Sequence, residues 1–261
     1  MDDNYQVYLN RVARMTLPEN YTSQVQHIQP SPKFQLSPEG ERQAVPFPGY
    51  TVLTPLSEEE SQNLAFYNNL ISCQQQLLQL PLDSGLIVPL PPASFHLTLA
   101  DLIWDSAYHY AKENSEFEVQ LRSNIAQIFQ QYRQSMTQTN PIRWQMLGLI
   151  VMPRAVGVCL VPKDEGSYER ILNFRRTIYQ NPGLTALGIE QHYHFTAHVT
   201  LGYFGDLSPN LDRERLGTTL SELNQQWLDN SPELLVNRAE LRKFDDMTRY
   251  YRESDWPVVE F

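Results

Sequence analysis

Cysteine and long apolar runs are both scarce in this chain. Its 261 residues include only two cysteines, Cys73 and Cys159, and no uninterrupted apolar stretch of about 18 residues. The two thiols show neither a metal-binding spacing nor a pairing pattern, so we expect reduced side chains that fill the core. No membrane-spanning helix is expected, and the polar N-terminus, MDDNYQVYLNRVARM, lacks the apolar segment of a secretory signal. A cytoplasmic protein is predicted.

Positive charge is also in short supply. The chain has 20 Lys and Arg against 30 Asp and Glu, which gives a formal net charge of −10. Non-specific binding to a nucleic-acid backbone depends on many cations that neutralise phosphates, so extended nucleic-acid binding is not expected. A small nucleotide or a single RNA end, held in a local pocket, is compatible with this charge. The sequence also lacks a glycine-rich phosphate loop, a nucleophile elbow and a CxxC pair.

The N-terminal part of the chain differs from the rest. Residues 30–49 hold five prolines, which remove amide donors and fix φ, so this stretch is expected to be irregular and extended. Two short helices are predicted before it. We interpret residues 1–49 as an extension packed on a main domain of residues 50–261, either as structural decoration or as a clamp or lid.

From residue 50 onwards, a strand–helix–strand–helix–strand order occurs twice. The predicted strands cover residues 50–56, 94–104, 142–152, 155–162, 194–204 and 233–244. The predicted helices cover residues 57–80, 115–136, 167–180 and 209–228, and the first opens on a capping-box pattern, Ser57 to Glu60. The order predicts an α+β fold with two pseudo-symmetric lobes, about 50–150 and 151–261. Antiparallel sheets flanked by helices would enclose a central cleft.

The middle strand of each half contains the same short pattern. FHLTL places His96 two residues before Thr98, and AHVTL places His198 two residues before Thr200. Residues i and i+2 of a strand share a face and lie roughly 6.6 Å apart. If an approximate two-fold axis relates the lobes, two imidazoles and two hydroxyls meet across the cleft.

This set of groups suits the hydrolysis of a cyclic phosphodiester. An incoming water must lose a proton, and the departing ribose oxygen must gain one. An imidazole has an ordinary pKa near 6.5, so one ring can be neutral while another is cationic at the same pH. Threonine hydroxyls can donate to the non-bridging phosphate oxygens. Such chemistry needs no metal ion.

Paired H-x-T motifs, one in each half of a two-lobed α+β chain, resemble the 2H phosphoesterase superfamily, which includes RNA 2′,3′-cyclic phosphodiesterases. The resemblance covers about residues 50–261 and implies that His96 and His198 are the acid–base pair and Thr98 and Thr200 the phosphate ligands. It implies a nucleotide or RNA-end substrate, no cofactor and no metal. The N-terminal extension and the segment FPGYTVLTPL make the chain look more like a bacterial branch of this superfamily that is distinct from the RNA-repair enzymes. We expect a monomer.

The sequence offers two further candidate residues and two alternative functions. Tyr203 and His194 are secondary candidates for substrate binding, although Tyr203 should face away from Thr200 unless the strand bends near Gly202. His192 and His194 suggest a zinc site as an alternative, which predicts loss of activity with a chelator. A further alternative is a non-catalytic module of the same fold that binds a nucleotide or an RNA end without turnover.

Overall fold

The computed structural model describes residues 2–83, 85–137, 140–227 and 232–261. The α-helices are α1 (Tyr5–Met15), α2 (Pro18–Gln24), α3 (Leu64–Gln79), α4 (Asp105–Ala111), α5 (Phe117–Ser135), α6 (Glu165–Tyr179), α7 (Pro182–Ala186) and α8 (Arg213–Gln226). The strands are β1 (Phe34–Leu36), β2 (Arg42–Ala44), β3 (Gly49–Leu53), β4 (Ile87–Pro89), β5 (Thr98–Trp104), β6 (Ile142–Met152), β7 (Ala155–Pro162), β8 (His198–Phe204), β9 (Glu233–Val236), β10 (Arg238–Asp246), β11 (Arg249–Tyr251) and β12 (Val258–Glu260).

Two five-stranded antiparallel sheets form the centre of the molecule. The first has the order β11–β10–β3–β5, with β12 also paired to β10, and the second has the order β4–β8–β7–β6–β9. A separate hairpin joins β1 and β2. The strand β5 belongs to the first sheet and β8 to the second, so each sheet holds one of the two H-x-T segments. The predicted α+β class, with antiparallel sheets and flanking helices, is confirmed.

The two sheets do not divide the chain at residue 150. The strands β4 and β6, from the first half of the sequence, pair within the second sheet, whereas β10 returns to pair with β3 of the first. The run predicted as one strand over 233–244 breaks at Asn237, and β9 pairs instead with β6. Lobes cut at residues 150 and 151 are therefore wrong as spatial units, because the chain crosses between the sheets more than once.

Local interactions explain two further differences from the predicted elements. The helix predicted from Ser57 begins only at Leu64, after two 3₁₀ turns. The Ser57 hydroxyl donates to the carbonyl of Pro92, and the Glu60 carboxylate accepts from the amide of Gln62, so the capping box does not form. The short helix α4, which carries the exposed His109, is not marked by an apolar period and was not predicted.

The N-terminal segment packs against the second sheet. The hydroxyl of Tyr8 donates to the carbonyl of Leu160 on β7 at 2.7 Å, and the hydroxyl of Tyr21 donates to Leu149 on β6 at 2.7 Å. Both tyrosines are fully buried, as is Val12 between them on the chain. Each phenol thus satisfies its polar atom while burying a large apolar surface. The helices α1 and α2 are part of the protein core.

Both cysteines are free thiols in the core. Burial raises the pKa of the Cys73 and Cys159 thiols to about 12, so neither is a ready nucleophile. In the described ranges, no helix combines the length and the apolar character needed to cross a bilayer.

Candidate active site

One cleft contains all four residues of the paired motifs. Its volume is about 620 Å³, and its walls include His96, Thr98, His198 and Thr200. Small-molecule sites commonly have volumes of about 300–1,000 Å³, so the cleft has room for a nucleotide-sized ligand. The structure thus brings together two imidazoles and two hydroxyls that lie far apart in the sequence.

The two imidazoles are held in the same way. The Nδ1 atom of His96 lies 2.7 Å from the carbonyl oxygen of Ser94, and the Nδ1 atom of His198 lies 2.7 Å from the carbonyl oxygen of Thr196. Because a carbonyl oxygen only accepts, each Nδ1 must carry the proton. In a neutral ring this leaves Nε2 as a proton acceptor. The repeated motif therefore fixes both the orientation and the tautomer of each ring.

The surroundings of His96 favour its neutral form. Burial lowers the pKa of His96 to about 4, against the opposing effect of the bond to Ser94, and the positive charges of His198 and Arg242 lower it further. The ring also packs edge-on against Tyr250, with ring centroids 4.5 Å apart. At neutral pH, His96 is therefore an uncharged imidazole with a free Nε2, which is the form a general base requires.

This environment predicts an NMR titration that does not depend on activity. The His96 resonances should titrate with a midpoint near pH 4, and His198→Ala should raise the pKa because it removes a neighbouring positive charge. Replacing the exposed His109 by Ala is the matched control and should leave the titration in place. Because the pKa is lower in the folded state, this group should make the protein less stable as the pH falls from 6.5 towards 4. A midpoint near 6.5 would contradict the burial argument.

A β-bulge redirects the second half of β8. Val156 pairs with Gly202 and the next residue, Gly157, pairs with Thr200, so Leu201 has no partner on β7. The extra residue shifts the alternation, and Tyr203 lines the same cleft as Thr200. Gly157 permits the close approach, since a Cβ atom there would lie 2.6 Å from the carbonyl oxygen of Val199.

Similar irregularities occur in β5. Its pairing with β3 shifts register twice, so that Thr98 faces Leu53 and Asp101 faces Thr51. Thr98, Asp101 and Trp104 all line the cleft, at intervals of three residues. Strict alternation places Asp101 on the opposite face from Thr98, which is why a period of two residues does not reveal it.

His192 and His194 lie outside the cleft. The strand predicted over 194–204 begins only at His198, so His194 lies in the loop before β8. The Nδ1 atom of His194 lies 3.5 Å from the Asp3 carboxylate, and its side chain is 61% exposed. His192 packs edge-on against Trp104 with ring centroids 5.0 Å apart. The part of the chain that the structure describes contains no group of three or more His, Cys, Asp or Glu side chains arranged to hold a metal ion.

Several residues of the cleft were not identified from the sequence. They come from the N-terminal segment, the β6–β7 turn, the loop before β8 and the C-terminal strands: Lys33, Phe47, Arg154, Tyr193, Met247 and Tyr250. The hydroxyl of Tyr193 donates to the Asp101 carboxylate, which links the loop before β8 to β5. No periodic pattern marks these positions, because most of them lie in loops or in a proline-rich segment.

The fold and the cleft define an α+β protein of two antiparallel sheets, with one H-x-T segment from each sheet at a shared site. Residues 37–152 match a family model described as "2H-phosphodiest: Domain of unknown function (DUF1868)". This match includes the first motif, His96 to Thr98. The resemblance to the 2H phosphoesterases is thereby borne out over this part of the chain.

Solved structures resemble this fold over most of the chain. A conserved protein of unknown function, ATU0111, from Agrobacterium tumefaciens str. C58 is 18% identical, with a TM-score of 0.60 over 90% of this chain and 96% of that one. E. coli LigT complexed with NADP+ is 12% identical, with a TM-score of 0.44 over 82% and 98% of the two chains. TT0787 of Thermus thermophilus is 17% identical, with a TM-score of 0.42 over 74% and 86%. No curated protein matches the chain.

Proposed function

We propose that the protein is a metal-independent phosphodiesterase that hydrolyses a 2′,3′-cyclic phosphate or a related nucleotide or RNA-end phosphodiester. The observation that carries this proposal is the meeting of both H-x-T motifs in one cleft, with each Nδ1 hydrogen-bonded to the backbone carbonyl two residues earlier. The remaining nitrogen of each ring is then available for proton transfer. The family match supports the class of reaction, and the site supports the assignment of roles.

The environments of the two histidines suggest which ring removes a proton. Neutral His96 accepts a proton from the attacking water through Nε2 as the new phosphorus–oxygen bond forms. His198 in its protonated form then donates a proton to the ribose oxygen as the old phosphorus–oxygen bond breaks. The product is a phosphate monoester, and one proton has passed from water to the leaving oxygen. Positioned acids and bases of this kind each contribute about 10²- to 10⁴-fold.

The threonines supply the second part of the mechanism. Thr98 and Thr200 line the cleft from opposite sheets, each two residues after its histidine. Their hydroxyls donate to the two non-bridging oxygens, where negative charge accumulates in the transition state. Two donors on opposite sides also hold the phosphorus atom between the rings.

A turnover assay in the presence of EDTA tests this function. Nucleoside 2′,3′-cyclic monophosphates should be converted to a nucleoside monophosphate, and the chelator should not change the rate. The conversion can be measured by ³¹P NMR. Loss of activity with EDTA and recovery with Zn²⁺ would favour the metal-dependent alternative instead. Binding seen by calorimetry without any product would favour the non-catalytic module.

A further inference from the structure

The cleft contains a lysine whose charge no carboxylate neutralises by direct contact. Lys33 comes from the N-terminal segment, and its Nζ atom lies 3.2 Å from the Met247 sulfur. The ammonium also lies 4.5 Å from the centroid of the Phe47 ring and 5.3 Å from that of Tyr203. Within the described ranges, Lys33 forms no ion pair. Aromatic faces and a thioether hold this cation in place.

A second cation, Arg154, lines the cleft from the turn between β6 and β7. Its guanidinium makes a long contact of 3.4 Å with the side-chain oxygen of Gln29, and among the described residues it too lacks an ion pair. The carboxylates of Asp101 and Asp105 line the same cleft and attract Lys33 from beyond ion-pair distance. One of them, Asp101, already accepts a hydrogen bond from Tyr193.

The position of Lys33 sets it apart from the scissile phosphate. Tyr203, over which the ammonium lies, follows Thr200 by three residues along β8. At a rise of about 3.3 Å per residue this is roughly 10 Å of strand, somewhat less where the bulge shortens it. His198 comes two residues before Thr200 on the same strand, so along β8 it lies on the far side of this threonine from Tyr203. A phosphate held by His198 and Thr200 at the start of β8 therefore leaves Lys33 and Arg154 without an anion.

We propose that Lys33, assisted by Arg154, binds a second phosphate of the substrate, attached at O5′ of the nucleoside whose cyclic phosphate is hydrolysed. The second phosphate is either a terminal 5′-monoester or the diester of a preceding nucleotide. The proposal rests on the proposed function for the scissile group. Burial lowers the pKa of Lys33 to about 8, and a bound phosphate would offset this cost because it supplies the missing counter-charge. The N-terminal segment is then part of the substrate site.

Kinetics with three substrates test the proposal. We would compare adenosine 2′,3′-cyclic phosphate, its 5′-phosphorylated form and the dinucleotide ending in a 2′,3′-cyclic phosphate. The wild-type protein should prefer at least one of the two longer anions by about tenfold or more in kcat/KM, mainly through KM. Lys33→Met should abolish that preference, and Lys33→Arg should keep part of it. The preferred substrate shows whether the second phosphate is bound as a terminal monoester or as a diester.

The control uses a lysine with a similar ring contact outside the cleft. Lys112 lies 5.9 Å from the centroid of the Tyr108 ring and is exposed, so Lys112→Met should retain the wild-type preference. A wild-type protein that turns over all three substrates equally would overturn the second-phosphate site while leaving the proposed function intact. The site is overturned in the same way if Lys33→Met folds normally by circular dichroism and keeps the preference.

Calorimetry separates this inference from the question of turnover. Adenosine 3′,5′-bisphosphate should bind about tenfold or more tightly than adenosine 3′-phosphate, and Lys33→Met should remove the difference. That result in a protein without turnover would support the second-phosphate site and count against the proposed hydrolysis. Equal affinities for the two ligands would overturn the site.

Discussion

Replacing either His96 or His198 by Ala is expected to lower kcat/KM for a 2′,3′-cyclic nucleotide by about 10²- to 10⁴-fold. Each substitution removes one proton-transfer group, and the two groups serve one reaction. The double variant should therefore be little worse than the more damaged single variant, because groups that act as a unit are not additive. Initial rates at substrate concentrations well below KM measure this directly, and His109→Ala on the exposed face of α4 is the control.

A substrate with a better leaving group distinguishes the two roles. Bis(p-nitrophenyl) phosphate releases p-nitrophenolate, which needs no proton, so the general acid matters less with this substrate. His198→Ala should then recover much of its activity relative to the wild-type protein, and His96→Ala should not. If the recovery appears in His96→Ala instead, the acid and base are assigned the wrong way round. If both variants hydrolyse cyclic nucleotides at the wild-type rate, the mechanism is wrong.

Regular elements were the easiest part of this molecule to predict. The strands β6 and β7 have the bounds expected from their largely apolar sequences, 142–152 and 155–162, because β7 is buried throughout and β6 buries most of its apolar side chains. The positions of the H-x-T motifs likewise follow from local spacing. The lobe boundaries do not, since the crossing at Asn237 depends on which distant strand each segment pairs with, and pairing is not encoded by alternation.

The cleft was only partly predictable for the same reason. His96, Thr98, His198 and Thr200 reach it because they come before the bulges, where a period of two residues still holds. Tyr203 and Asp101 reach it only because β8 and β5 shift register. Lys33 could not be found from any pattern, because its position depends on tertiary packing of the N-terminal segment.

Arg175 is a buried cation that contacts the backbone or side chains next to both H-x-T motifs. It lies on α6, is 3% exposed, and donates to the carbonyl of Leu99, the residue after Thr98. Its guanidinium also lies 4.6 Å from the centroid of the Phe195 ring, in the loop that leads to His198. Its counter-charge is Asp2, at 2.7 Å from Nε to Oδ2. One buried cation thus contacts both motif segments and the N-terminal segment.

The Asp2 carboxylate depends on this arrangement. Burial alone raises the pKa of Asp2, but the hydrogen bond and charge of Arg175, with bonds from the Phe195 amide and the Gln191 side chain, outweigh it and lower the pKa below 3.8. Because the pKa is lower in the folded state, the pairing stabilises the protein at pH values above about 4. That contribution is lost as the pH falls through the lowered pKa.

Arg175→Met should therefore reduce the free energy of unfolding by about 3–5 kcal/mol at pH 7, the usual cost of leaving one buried charge without its partner. Urea denaturation measures the loss, and Arg176→Met is the matched control, an exposed neighbour on the same helix whose removal should cost less than about 0.5 kcal/mol. The difference between the Arg175 variant and the wild-type protein should shrink at acidic pH, where Asp2 becomes neutral in the variant. Equal, small losses in both variants would mean that solvent reaches Asp2, and that the N-terminal segment is not fixed beneath the two motifs.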